Sequence, residues 1–130
     1  MKKLIAFFEI PATDFRRAVD FYETVLNMKL PVFECEQDKM ACFTEDGETV
    51  GAISQSFDLL PDFQPSEKGV LIHFNTDNIA TTLERVLQKG GKVLIPCTKI
   101  EADGKGYFAV FADSEGNRIG IYADLSLIHI

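Results

Sequence analysis

The chain repeats itself, and that restricts its fold more than any other feature. Displaced by sixty-four positions, FFEIPATDFRRAVDFYETVLNMKL falls on LIHFNTDNIATTLERVLQKGGKVL. Ile10 lies over Phe74, Asp14 over Asn78, Phe15 over Ile79, Val19 over Leu83, Asp20 over Glu84 and Leu30 over Leu94. Each half opens with an apolar stretch, continues with a capping-type residue and then runs at helical spacing, so the two read as copies of one supersecondary unit. At 130 residues the copies share a single domain's length of chain.

Within the first copy, residues 3–10 read as a strand rich in Ile and Phe. Asp14 caps a helix in which Phe15, Val19, Tyr22, Val25 and Leu26 recur at helical spacing, and Asn27 ends it by adopting the left-handed conformation. Strands are expected near 31–36, 39–45 and 48–55, the last two joined by a hairpin turn at Asp46-Gly47. The second copy follows the same order: a strand at 69–75, a helix at 79–89 stopped by Gly90-Gly91, and strands at 92–100, 106–112 and 118–123. Turns are expected at Asp103-Gly104 and at 114–117. The expectation is an α+β fold of two βαβββ modules, about 1–56 and 69–124, with a proline-bearing linker at 57–68 and an apolar tail at 125–130 that should dock on something.

Composition removes several classes of function. Thirteen Lys and Arg against twenty Asp and Glu leave a net charge of −7, which opposes the dense cationic surface that nucleic acid requires. No apolar run approaches a bilayer span, so no membrane is expected. Cys35, Cys42 and Cys97 are an odd set without C-x-x-C spacing, consistent with reduced thiols and a cytoplasmic protein. The glycine pairs sit in no phosphate-binding pattern. Glu45, Asp46 and Glu48 read as a solvated acidic turn, and His129 as incidental.

Phe8-Glu9-Ile10-Pro11 followed by Thr13-Asp14, then Asp20-Phe21-Tyr22-Glu23 and Val25-Leu26, resemble the opening of the vicinal-oxygen-chelate superfamily. This superfamily includes glyoxalase I, extradiol dioxygenases and bleomycin-resistance proteins. Phe108–Asp113 and Glu115-Gly116-Asn117-Arg118-Ile119-Gly120 are similar to its closing hairpin. The resemblance covers about residues 3–123 and is closest to the glyoxalase-related branch. It implies modules related by a pseudo-twofold, sheets curled into a cup, and a homodimer. It also implies a divalent metal held by one residue from the first and one from the last strand of each module. On this chain those corners fall on Phe7, Gly51, Leu71 and Gly120, none of which offers an oxygen, nitrogen or thiolate donor. No metal or other cofactor is therefore expected.

Strand parity indicates what takes the metal's place. Phe8 and Ile10 share one face and should pack on the helix, leaving Phe7 and Glu9 on the other. Ile72 and Phe74 repeat the first arrangement, and Leu71, His73 and Asn75 the second. Glu9 thus stands over His73 in the repeat, an acid and an imidazole facing one interior, with Arg118 and Tyr122 flanking Gly120 at its rim. The leading expectation is a metal-independent small-molecule binder with these residues around its pocket. The alternative is a lyase or isomerase acting beside a carbonyl, with Glu9 and His73 as acid and base or as ligands of a displaced metal.

Overall fold

Apolar spacing and capping chemistry set the element order, which is the same in both halves. The computed structural model describes residues 3–34, 38–56, 62–100 and 106–124. The expected turn at Asp103-Gly104, the tail at 125–130, Cys35 and the first part of the linker lie outside the described residues. The elements are β1 (Phe8–Pro11), α1 (Phe15–Val25), β2 (Val32–Glu34), β3 (Asp38–Glu45), β4 (Glu48–Ser56), β5 (His73–Asn75), α2 (Ile79–Gln88), β6 (Lys92–Lys99), β7 (Tyr107–Ala112) and β8 (Arg118–Ala123).

Both helices begin and end alike. Asp14 accepts from the Arg17 N–H at 3.1 Å, and Asn78 accepts from the Thr81 N–H at 3.1 Å. Beyond α1, Asn27 takes φ 52°, and the Asn27 and Met28 N–H groups turn back to the carbonyls of Thr24 and Glu23. Beyond α2, Gly90 at φ 90° and Gly91 make the same pair of bonds to Leu87 and Val86. The Asp46-Gly47 turn has positive φ at both residues, as a tight hairpin between β3 and β4 requires.

The strands form two four-stranded mixed sheets, ordered β1-β4-β3-β2 and β5-β8-β7-β6, which stay open and do not close into a barrel. In each, the first strand runs parallel to the last and the other pairs are antiparallel. Both first strands are shorter than their apolar sequence suggested. β1 pairs with β4 only from Phe8 onward, and β5 pairs with β8 only from His73, with the Ile72 carbonyl accepting from the Gly120 N–H at its start. Leu4 and Ile5 are accordingly exposed.

One core serves both halves. Ile10, Ala41, Phe43 and Ile53 from the first sheet join Ala109, Phe111, Ile119 and Ile121 from the second around Phe15, Ala18, Phe21, Tyr22 and Val25 of α1. Phe74 of β5 lies 5.8 Å from Phe8 and 5.3 Å from Phe43 between ring centroids, so the aromatic cluster crosses the seam between modules.

A polar staple crosses the same seam. The turn between β7 and β8 places Asp113 against α1, where its carboxylate accepts from Tyr22 Oη at 2.5 Å, from Asn117 Nδ2, and from the Glu115 and Asn117 N–H groups. Asn117 in turn donates to the Pro11 carbonyl. Glu115 Oε1 accepts from the Thr13 and Asp14 N–H groups, while Arg17 Nε donates to Oε2 at 2.7 Å. The second module thus supplies an extra carboxylate cap to the first module's helix.

The two acids of this turn carry opposite shifts. Burial raises Asp113 above the ordinary carboxylate value and prevails over its hydrogen bonds. Burial pushes Glu115 the same way, but the Arg17 bond and the Asp14 and Thr13 amides together outweigh it and bring its pKa to about 2. A lowered folded-state pKa contributes stability that is complete above about 4.5 and is lost as pH falls toward about 2, whereas Asp113 is relieved by protonation. Urea midpoints measured on either side of this window should therefore fall more steeply with acidification in the wild type than in Glu115→Gln. Parallel slopes would remove Glu115 as the source.

Candidate functional site

Each helix covers one face of a sheet, which leaves the opposite faces for a ligand. Cross-strand register decides which residues meet there. In the second module His73 pairs with Gly120, and in the first Glu9 pairs with Ala52. Gly51 instead pairs with Phe8 and Phe43, on the helix side. A Cβ on Gly51 would come within 2.4 Å of the Phe8 ring. The expectation that Gly51 shares a face with Gly120 is therefore corrected by one residue, because β4 pairs with β1 in a register that puts Ala52 beside Glu9.

The corners that the resemblance implies then fall on Phe7, Ala52, Leu71 and Gly120. Alanine is as donor-free as glycine, so these residues do not fit a divalent ion. Among the described residues no group of three or more His, Cys, Asp or Glu side chains gathers to hold one.

His73 occupies the space that Gly120 leaves. A Cβ at position 120 would lie 2.3 Å from Nδ1 and 2.5 Å from Cε1, so the missing methyl is what lets the imidazole lie on the strand. Phe108 meets that ring edge-on, with centroids 6.2 Å apart and planes at 74°. Leu71, His73, Ile100, Phe108 and Tyr122 surround an apolar hollow of about 470 Å³. A larger cavity of about 670 Å³ adjoins it, with His73 and Asn75 on one side and Glu45 and Glu48 on the other.

Glu9 belongs elsewhere. Its Oε1 accepts from the Ser54 hydroxyl at 2.6 Å, and it lines a third cavity, of about 310 Å³, with Arg118, Lys68 and Asn117. The expected common interior for Glu9 and His73 is thus divided: they stand on the edge strands of different sheets and line different cavities. Phe7, expected at a corner, is half exposed just ahead of β1. Of the expected residues, His73, Leu71 and Tyr122 meet in the hollow, His73 and Asn75 in the larger cavity, and Glu9 and Arg118 in the third.

Sequence reasoning missed Ser54, Phe108 and Ile100. Phe108 was within reach, since it pairs with Tyr122 across an antiparallel ladder that both strand boundaries implied. Ser54 gave no comparable signal, because a serine in a strand becomes informative only once its carboxylate partner is known. Cys42 is buried, and burial raises the pKa of the Cys97 thiol, the opposite of the depression that makes a cysteine reactive.

Residues 4–121 match the family model described as the Glyoxalase/Bleomycin resistance protein/Dioxygenase superfamily. A glyoxylase-like domain-containing protein of Didymella fabae is 30% identical over 115 residues, which cover 84% of each chain. Among solved structures, TnmS3, an antibiotic binding protein from Streptomyces sp. CB03234, superposes with a TM-score of 0.67 at 20% identity, covering 95% of this chain and 97% of its own. A glyoxalase I variant from Zea mays gives a TM-score of 0.65 at 17% identity over 90% of this chain, which spans only 46% of the maize protein. No helix among the described residues is long and apolar enough to cross a membrane. The duplicated module, the sheet order and the family match agree: this chain belongs to the Glyoxalase/Bleomycin resistance protein/Dioxygenase superfamily.

Proposed function

We propose that the chain binds a small, largely apolar molecule in the hollow of its second sheet, without the divalent metal that the family resemblance implies. The observation that carries this reading is the joint replacement of donors and space in the second sheet: Leu71, with no ligating atom, lines an apolar cavity with a single imidazole edge, and Gly120, equally donor-free, leaves the room that the imidazole fills. Aromatic walls with one or two polar groups are the usual makeup of a small-molecule site, and about 470 Å³ is within the usual range. The structural likeness to an antibiotic binding protein is consistent with it.

The test fills the hollow. Leu71→Trp should weaken binding of a naphthalene-class fluorophore by roughly tenfold or more, read by fluorescence titration, with the far-ultraviolet spectrum unchanged. Unaltered affinity in that variant would place the ligand elsewhere. The enzyme reading ranks second, because Glu9 and His73 would have to reach one substrate from different cavities. Stoichiometric metal together with turnover in a glyoxalase assay supplied with Zn, Ni or Mn would reverse that order. A homodimer belongs to the same proposal, supported by the exposed Leu4, Ile5, Phe7 and Val70, and sedimentation of the full chain reads it directly.

A further inference from the structure

The cavity at the seam between modules has a different character from the apolar hollow, and the two share no lining residue. It lies between β1, the start of β8 and the segment leading to β5, and its charged lining residues are Glu9, Lys68 and Arg118. Opposite charges facing one small space normally collapse into an ion pair. Here they do not: among the described residues neither Arg118 nor Lys68 pairs with Glu9.

Glu9 and Arg118 are each held by a neighbour of their own. Glu9 Oε1 is engaged by the hydroxyl of Ser54, which is itself buried. Arg118 Nη2 donates to the Gly69 carbonyl at 2.8 Å, and the Arg118 N–H reaches the Ser66 carbonyl. The Ser66 N–H in turn donates to Asn117 Oδ1, which fixes the segment that carries Lys68. A tethered carboxylate and a tethered guanidinium thus line one cavity of about 310 Å³.

We propose that this cavity is a site for small zwitterions, molecules of the amino-acid class that carry one ammonium and one carboxylate group. The ligand's ammonium would donate to Glu9 and its carboxylate would accept from Arg118, with Lys68 adding attraction at the mouth. Both contacts are charge-assisted hydrogen bonds, and the tethers mean that little ordering remains to be done on binding. A molecule with only one of the two charges would leave the opposite wall unanswered, so selectivity should come from the pair.

Isothermal titration of the full chain at neutral pH tests this with glycine, γ-aminobutanoate and ε-aminohexanoate, which differ in the separation of their charges. Butanoate and butylamine serve as singly charged partners of γ-aminobutanoate. At least one zwitterion should bind saturably, and γ-aminobutanoate roughly tenfold more tightly than either partner. Glu9→Gln should abolish the advantage over butanoate, and Arg118→Gln the advantage over butylamine. Absence of saturable binding by all three zwitterions would overturn the proposal. So would γ-aminobutanoate binding no tighter than its singly charged partners, which is read on the wild type and does not depend on either variant folding. Because Leu71→Trp alters the other cavity, failure here and failure of the apolar site are separately visible.

Discussion

Replacing Asp113 with alanine is expected to lower the unfolding free energy by about 3 kcal/mol, read from urea denaturation at neutral pH. The carboxylate is buried and accepts four hydrogen bonds, from Tyr22 Oη, Asn117 Nδ2 and the N–H groups of Glu115 and Asn117. Truncation leaves the Tyr22 hydroxyl, which is entirely buried, without its acceptor. It also releases the turn that brings Glu115 to α1. Removing a buried charge gives something back, since burial already raises the Asp113 pKa, and for that reason the loss should stay below the sum of four bonds. Tyr22→Phe should cost less, about 1–2 kcal/mol, because three donors still serve the carboxylate. A loss under about 1 kcal/mol for Asp113→Ala would mean that the aromatic core alone joins the modules.

Gly51→Ala and Gly120→Ala form the second expected result, one methyl added at two related-looking positions with different consequences. At position 51 the new Cβ would meet the Phe8 ring at 2.4 Å, and Phe8 is stacked on Phe43 and edge-on to Phe74. Moving the Phe8 ring would break its packing on Phe43 and Phe74, so a loss of about 2 kcal/mol is expected. At position 120 the Cβ would meet the His73 imidazole, which is exposed and can swing away. Stability should then change by less than about 1 kcal/mol while the hollow loses the wall that His73 forms. Thermal midpoints separate the two variants, and the His73 ring resonances report the displacement. Equal losses at both sites would show that the face assignment made by the strand register is mistaken.

Much of the architecture is legible because its causes are local. Asp14, Asn27, Asn78 and Gly90 act through bonds to residues a few positions away, so their capping roles follow from the chain itself. The alternation that sends Phe8, Ile10 and Phe74 toward the helices is likewise a property of a strand's own period, and all three join or pack against the core. The length of β1 and β5 was less legible, since apolar composition does not say where a ladder partner stops.

By itself the sequence determined the duplicated module, the order of elements and the helix caps. It could do so because each depends on residue identity and on spacings of two to four. Only the tertiary structure decided that Ala52 rather than Gly51 stands opposite Glu9, that Ser54 holds that carboxylate, and that Glu9 and His73 line separate cavities. Those outcomes turn on register between strands and on packing across the module seam, where a displacement of one residue moves a side chain to the opposite face and no nearby residue records the choice.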